Sequence, residues 1–314
     1  NWIIDDLNIS QIDVGSFSTP ILHDMDKDSD LDLLVGNGRG LIIYYENKGS
    51  KEEAQFVLRN TRMSGIEMKA NAVPTFWRWN NDENPHLVVG GIEGYLSLLS
   101  HFPDERSPAL SGWNLEDSNW QGIKSIGYSA PHFSDFDGDN STDFMLGDEK
   151  GNLLFWKNNG IIKKENSKES KTIILNENTL EVEEEENPST KTEVILEQNI
   201  TEEEEDNKRP IIPKFELVTK KYGDLELGGR AFPAFIDING DGILDLIVGN
   251  KEGELRYYRR ENNSEDSIWT LESNNFVDYD GGRNLAPIFT DLDADTDLDL
   301  LVGSQDGSIQ YWEN

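Results

Sequence analysis

Residues Asp291 to Gly303 read DLDADTDLDLLVG, and the fold of the protein can be predicted from this segment outward. Five aspartates occupy alternate positions, and the Leu-Leu-Val segment that follows them requires burial. Two carboxylates about 5 Å apart repel each other by roughly 3 kcal/mol at an effective dielectric constant of about 20. A cation between these carboxylates is therefore expected.

The stretch is one copy of an internal repeat, and such repeats determine the fold before any local feature does. Ungapped copies begin at Pro20, Pro131, Pro233 and Pro287, and a fifth copy from Pro74 keeps the frame but loses most of the acids. After its closing glycine, each copy continues into a tight turn and two further β-branched or aromatic segments, which predicts four strands per copy. A four-stranded repeat is typical of a β-propeller blade.

The ends of the chain predict how the ring closes. The residues after 291 and those before 24 together make one slightly shortened repeat. The N-terminal NWIIDDLNIS is thus expected to add the fourth strand to the blade that the last copy begins. We predict an all-β fold over 1–314, a five-bladed β-propeller with four-stranded blades, closed by pairing of the N- and C-terminal strands so that no sheet edge is left free at the junction.

The third repeat contains an acidic insertion, predicted at 161–209. Residues 161–207 include 15 acidic residues and five lysines, with EEEE runs at 183–186 and 202–205. Two similar segments inside it alternate enough to form a hairpin, and a solvated flexible loop is the alternative. In either case we predict an insertion and not a further blade.

The acidic loops have the spacing of calcium sites. Calcium takes six to eight oxygen ligands, and a tight loop offers them at positions 1, 3, 5, 7 (through a carbonyl) and 9. An EF-hand is excluded because position 12 is Val or Leu and not Glu. About four structural Ca²⁺ sites are therefore predicted. Their ligands are Asp24, Asp26, Asp28, Asp30 and Asp32; Asp135, Asp137, Asp139, Ser141 and Asp143; Asp237, Asn239, Asp241, Ile243 and Asp245; and Asp291, Asp293, Asp295, Asp297 and Asp299.

The second repeat departs from this pattern. Its ligand frame holds Arg78, Asn80, Asp82, Asn84 and His86. An arginine at position 1 places a cation where calcium belongs. This loop is predicted to hold no ion, with Arg78 pairing with Asp82 in its place.

Composition narrows the function classes. The 314 residues include 28 Lys and Arg against 61 Asp and Glu, a formal charge of −33, which argues against nucleic acid and anionic membranes as partners. The absence of cysteine excludes disulfides and a thiol nucleophile. The apolar runs are too short for a membrane helix, so no membrane insertion is expected. The start at Asn1, without a methionine, is interpreted as that of a mature or excised segment.

The sequence offers little for catalysis. The predicted inner strands carry no acid before the acidic loops, so an enzyme is not expected, and His132 is interpreted as a packed or channel-lining residue. The face opposite the loops is a candidate ligand face with Arg230, Arg283 and Tyr128. We interpret its arginines as caps of carboxylates in neighbouring blades. Trp77 could stack on a glycan, but we interpret it as a filler of the central channel.

The segment LAPIFTDLDADTDLDLLVGSQDGSIQYWEN, residues 285–314, resembles the FG-GAP and VCBS repeats. The resemblance implies a calcium-bearing propeller similar to integrin α-subunit heads and secreted bacterial surface modules. We expect a noncatalytic extracellular or cell-surface propeller, since millimolar calcium fills weak sites that cytosolic calcium does not. The expected function is adhesion, surface assembly or binding of another extracellular protein. A lectin-like propeller that binds a glycan is the alternative.

Overall fold

Five four-stranded sheets form the described part of the chain, in the arrangement of a five-bladed β-propeller. The computed structural model describes residues 2–5, 8–63, 68–78, 85–101, 113–161, 213–264, 267–279 and 282–314. Apart from residues 159–161 and 213–214, the strands lie in one compact unit, Asn1–Asn158 with Phe215–Asn314. Within the described ranges, no helix has the length and apolar character that crossing a bilayer requires. The all-β prediction is confirmed.

Each blade has four strands. In blades 1 to 4 the strands follow one another along the chain, from the innermost to the outermost. Blade 5 takes its three inner strands from the C-terminal end of the chain and its outermost strand from the N-terminus. Blade 1 contains β2 (Thr19–His23), β3 (Asp32–Gly36), β4 (Ile42–Asn47) and β5 (Phe56–Asn60). Blade 2 contains β6 (Val73–Trp77), β7 (His86–Gly90), β8 (Ser97–His101) and β9 (Trp113–Asp117). Blade 3 contains β10 (Ser129–Ser134), β11 (Asp143–Asp148), β12 (Leu153–Ile161) and β13 (Pro213–Thr219). Blade 4 contains β14 (Phe232–Ile236), β15 (Asp245–Gly249), β16 (Leu255–Arg260) and β17 (Trp269–Ser273). Blade 5 contains β18 (Ala286–Thr290), β19 (Asp299–Gly303), β20 (Ile309–Glu313) and β1 (Ile3–Asp5). Short 3₁₀ turns lie at Asn8–Gln11, Trp120–Gly122 and Tyr222–Asp224.

The N- and C-terminal strands close the ring as predicted. Strand β1 pairs antiparallel with β20, with Ile3 opposite Glu313 and Asp5 opposite Tyr311. The inner strands contact one another in the cyclic order β2, β6, β10, β14, β18 and back to β2. The first and last parts of the chain are therefore held in one blade.

The inner strands surround a central cavity of about 210 Å³. Each contributes the proline that opens its repeat, and proline suits this position because the inner strand is an edge strand whose outward N–H would have no partner. The cavity-lining prolines are Pro20, Pro74, Pro131, Pro233 and Pro287.

The closing glycine of every repeat is explained by packing between blades. A Cβ added to Gly36 would lie far inside van der Waals contact with the carbonyl oxygen of Ala72, just before the next inner strand. A Cβ on the closing glycine of each of the other four blades would overlap the corresponding carbonyl oxygen in the same way. These pairs are Gly90 with Ser129, Gly147 with Ala231, Gly249 with Leu285 and Gly303 with Ser18. The last pair joins blade 5 to blade 1.

The predicted acidic insertion falls between the third and fourth strands of blade 3. Strand β12 ends at Ile161 and β13 begins at Pro213. Residues 162–209 of the insertion lie outside the described residues, so the hairpin and the flexible loop both remain predictions. Asn80, Asp82 and Asn84 of the second loop also lie outside them.

Candidate metal loops

The four acidic loops occupy equivalent places in blades 1, 3, 4 and 5. Each joins the innermost strand of its blade to the second strand, so the first loop connects β2 to β3 and the last connects β18 to β19. The inner strands run in the same direction around the channel of a propeller. The four loops therefore emerge on one face of the ring.

The loops are wound alike by hydrogen bonds from their own backbone. In the blade 4 loop, the N–H of Asp241 donates to Asn239 Oδ1 at 2.9 Å, and the N–H of Ile243 donates to Asp241 Oδ1 at 2.8 Å. The same two bonds, from positions 5 and 7 to side chains at positions 3 and 5, recur in the other three loops. In blades 1, 3 and 4, the position 1 carboxylate also accepts the N–H of position 6.

Positions 4 and 6 have positive φ in all four loops. Blade 4 places Gly240 and Gly242 there, and glycine adopts this conformation without strain. Blade 5 instead holds Ala294 at φ 62° and Thr296 at φ 82°, where a Cβ is unfavourable. This turn requirement was not predicted from the sequence. The glycines at positions 4 and 6 of blade 4 were the available signal.

The loops contain buried carboxylate oxygens with no partner. Such oxygens occur at Asp24, Asp30, Asp143, Asp291, Asp297 and Asp299. Within the described ranges, every buried carboxylate oxygen without a hydrogen-bond partner belongs to the acidic loops of blades 1, 3 and 5. A buried polar atom without a partner costs about 1–3 kcal/mol, and more when it is charged. The donor set is oxygen alone, which fits a hard divalent cation.

Three of the four predicted ligand sets converge as carboxylate trios. In each trio, one oxygen from every residue lies within 4.8 Å of the others. The trios are Asp24, Asp26 and Asp28; Asp135, Asp137 and Asp143; and Asp291, Asp293 and Asp295. The blade 4 loop is wound in the same way, but it places Asn239 at position 3, so it offers fewer carboxylates.

The aspartate at position 9 ties each loop to the third strand of its blade. Asp143 is fully buried, and its Oδ1 accepts the N–H of Asn158 at 2.7 Å. Asp32 accepts the N–H of Asn47 at 2.8 Å and that of Met25 at 3.0 Å. Sequence reasoning treated position 9 only as a ligand and missed this second role. The signal was available, because the bonded residue always lies 15 positions further along the chain.

Burial and like charge make these carboxylates resist ionisation. Burial raises the pKa of Asp32 and of Asp143 to about 7. Burial, and then the neighbouring Asp28 carboxylate, raises the pKa of Asp30 to about 6. Burial likewise raises the pKa of Asp299 to about 6. A divalent cation would reverse this effect, since an opposite charge favours the ionised form.

The second loop has a cation in its first position, as the sequence indicates. The side chain of Arg78 is exposed at the end of β6. At position 9, His86 packs against the ring of Trp77 with centroids 5.5 Å apart. The pairing of Arg78 with Asp82 stays a prediction.

Arg230 on the candidate ligand face is engaged within the ring. Its Nε lies 2.6 Å from Glu149 Oε2, on the turn that follows β11 of the neighbouring blade. The guanidinium lies 5.1 Å from the ring centroid of Tyr128 and 5.5 Å from that of Phe17. It also donates to Asn284 Oδ1 at 3.2 Å. Arg230 thus caps a carboxylate of the adjacent blade, in agreement with the interpretation of this arginine as a cap and not as part of a ligand site.

The other three residues of the candidate ligand set differ in exposure. Tyr128 is fully buried, and Arg283 is exposed. Trp77 is only 2% exposed and stacks on Phe133 with centroids 5.6 Å apart, next to Trp120. The expectation that Trp77 fills the central channel is therefore wrong. Its indole lies in the core cluster between blades 2 and 3, because the next blade packs against that side of β6.

His132 lines the central cavity, as one interpretation of the sequence expects. The N–H of Phe235 donates to its Nε2 at 3.4 Å. Burial lowers the pKa of His132 to about 4, so its imidazole is neutral at pH 7.

A groove of about 170 Å³ lies between the blade 1 loop and blade 2. The ring of His101 stacks on Trp113 with centroids 4.5 Å apart and an interplanar angle of 11°. Lys27 and Arg78 contribute cationic side chains to the same groove. Sequence reasoning missed it, because the groove combines residues from two blades that no motif links.

The comparison with protein families supports the repeat assignment. Residues 237–302 match the model of the FG-GAP-like repeat, from the first ligand position of the blade 4 loop into β19. No curated protein matches the chain. Propellers with these repeats are commonly protein-interaction domains. The resemblance inferred from the sequence is confirmed, since residues 237–302 of this five-bladed β-propeller match the FG-GAP-like repeat.

Proposed function

We propose that this protein is a noncatalytic, calcium-stabilised β-propeller that acts outside the cytoplasm as a binding scaffold for another extracellular or cell-surface protein. The observation that carries the proposal is the set of buried carboxylate oxygens without partners, all of them in the acidic loops of blades 1, 3 and 5. Bound calcium would neutralise these oxygens and hold each loop on its blade.

Calcium fits the loops better than other common metals. The side chains offer only oxygen, and zinc or copper sites draw on His or Cys ligands. Asp, Asn and a carbonyl at position 7 provide the five protein ligands that the sequence predicts, and water can complete the shell. Because all the ligands of a site come from one short loop, we propose a structural role for the ion in blades 1, 3, 4 and 5.

Three considerations support a binding role outside the cytoplasm. Among the described residues that line the central cavity, His132 is the one titratable side chain, and it is neutral. Propellers are scaffolds on which loops and faces carry the function. Weak loop sites fill at millimolar calcium, the concentration found outside cells.

Carbohydrate binding is a second candidate, favoured by the groove between blades 1 and 2. The stacked pair of His101 and Trp113 lies beside the cations Lys27 and Arg78. Aromatic and cationic groups together suit a sugar that carries a carboxylate. Trp77 does not contribute, because it is buried.

The proposal is tested by calorimetry with and without calcium. We expect isothermal titration to show about four calcium ions per chain, and we expect a chelator to lower the melting temperature measured by scanning calorimetry. An unchanged melting temperature in the chelator, together with no heat of binding, would contradict the calcium proposal.

A glycan array in calcium separates the two binding roles. Binding to acidic sugars that Arg78→Ala abolishes would favour the lectin. An array without signal, combined with calcium-dependent binding to a purified surface protein, would favour the protein scaffold.

A further inference from the structure

One position of the third strand carries different charges in the four blades with acidic loops. Fourteen residues after position 9, the chain places Glu46 in blade 1, Lys157 in blade 3, Arg259 in blade 4 and Glu313 in blade 5. The position lies one residue before the N–H that position 9 binds. The backbone of this position is therefore held close to the loop of its own blade.

In blade 3 this side chain contacts two predicted calcium ligands. Lys157 Nζ forms an ion pair with Asp137 Oδ2 and lies 3.4 Å from Asp139 Oδ2. These carboxylates occupy positions 3 and 5. The lysine side chain is 30% exposed, whereas that of Asp137 is 11% exposed, so the ammonium lies at the mouth of the loop.

The equivalent side chains of blades 1 and 4 are engaged elsewhere. Glu46 pairs with Lys48 and Arg59. The Nε of Arg259 lies 2.9 Å from Glu272 Oε1 on the neighbouring strand β17. Across the described part of the chain, the recorded ion pairs bring a cation onto loop ligands in blade 3 alone.

We propose that Lys157 is an internal counterion that competes with calcium for the blade 3 loop. This inference rests on the proposed function, since it concerns one of the four calcium sites. Calcium can bind Asp137 and Asp139 fully only after the ammonium has left them. The lysine can leave because its long side chain is flexible and reaches solvent.

The competition has two consequences of opposite sign. Without calcium, Lys157 compensates part of the negative charge of the blade 3 loop and stabilises it. With calcium, the same charge repels the ion and weakens the site. Calcium should therefore stabilise the blade 3 loop less than it would if the side chain at this position were neutral.

The test compares Lys157→Met with Arg259→Met as a matched control at the equivalent position. For Lys157→Met, we expect one of the calcium sites to bind roughly tenfold more tightly in isothermal titration, the scale of a partly exposed ion pair. We also expect a lower melting temperature in chelator and a larger rise on adding calcium. Lost packing alone would lower the melting temperature under both conditions. Arg259→Met should leave all calcium affinities unchanged.

A reciprocal variant provides a second readout. Glu313→Lys places a lysine at the same position of blade 5, and it should weaken one calcium site there and raise the melting temperature in chelator. If the wild-type chain binds calcium but neither Lys157→Met nor Glu313→Lys changes any calcium affinity, the counterion role is wrong and the calcium proposal stands. If the wild-type chain binds no calcium, both are wrong.

Discussion

Arg260 of blade 4 donates from Nη1 to the backbone carbonyl of Phe136 at 2.8 Å, and Phe136 occupies position 2 of the acidic loop in blade 3. The guanidinium is buried, with its centre 5.8 Å from the ring centroid of Tyr222 and 5.4 Å from that of Trp269. Its Nη2 also donates to the carbonyl of Ser264 at 2.9 Å. One blade therefore positions the candidate metal loop of its neighbour.

We expect Arg260→Met to destabilise the protein by about 2–3 kcal/mol, because it leaves the buried carbonyl of Phe136 without a donor and removes the bond to Ser264. Equilibrium unfolding in urea measures the change. Arg259→Met is the control, since that exposed side chain contacts only Glu272 among the recorded ion pairs, and we expect it to cost less than about 1 kcal/mol. Equal effects of the two variants would contradict the bridging role of Arg260.

The closing glycine is predicted to be indispensable at the blade junctions. In Gly249→Ala the new methyl group would overlap the carbonyl of Leu285, and neither backbone can move without opening the ring. We expect a loss of about 4 kcal/mol or more, or no folded protein. Gly15→Ala is the control, because its Cβ would meet no atom within 4 Å and only its positive φ adds a cost of about 1–2 kcal/mol. Circular dichroism and thermal unfolding measure both.

Backbone strain in the blade 5 loop can be relieved by glycine. Thr296 has a φ of 82°, whereas the equivalent residue of blade 4 is Gly242. We expect Thr296→Gly to stabilise the protein by about 1 kcal/mol, and Gly242→Thr to destabilise it by at least as much. Unfolding in urea tests the pair. A loss of stability in Thr296→Gly would show that the threonine makes compensating contacts.

Stability without calcium should fall as the pH rises. Burial raises the pKa of Asp32 and Asp143 to about 7 in the folded protein, above the value of about 4 for an unfolded chain. The folded state therefore binds protons more tightly, so its stability is highest below about pH 4 with respect to these groups and declines up to about pH 7. Melting temperatures in chelator at pH 5 and pH 7 test the sign.

Asp143→Asn is the matched variant for this pH dependence. Asn keeps an oxygen that can accept the N–H of Asn158, and its amide takes the place of the Asp143 Oδ2 that has no partner. We expect a smaller loss of melting temperature between pH 5 and pH 7. An unchanged slope would indicate that Asp143 is ionised throughout this range.

Calcium should weaken the pH dependence of stability that these buried carboxylates cause. Metal binding requires ionised carboxylates and becomes more favourable as the pH rises. We therefore expect melting temperatures in saturating calcium to change less between pH 5 and pH 7 than those in chelator. Parallel slopes under the two conditions would place the ion away from the buried carboxylates.

The number of blades, the order of their strands, the ring closure and the position of the acidic loops could all be predicted from the sequence alone. These features could be predicted because each depends on a short segment that recurs at the same spacing in every repeat. Within Asp291–Gly303, the acidic loop, the buried strand and the closing glycine all follow from residues that lie near one another in the chain. Local spacing is thus sufficient to predict them.

The contacts between one blade and the next could not be predicted from the sequence and are seen only in the folded protein. The bond from Arg260 to Phe136, the burial of Trp77 between blades 2 and 3, and the pairing of Arg230 with Glu149 join side chains from different repeats. Lys157 pairs with the acidic loop of its own blade, whereas Arg259 pairs with Glu272 and not with the acidic loop of blade 4. This difference likewise depends on the side-chain rotamers that the neighbouring strands allow. No periodic pattern encodes these contacts, because they depend on the packing of surfaces that fold together from separate parts of the chain.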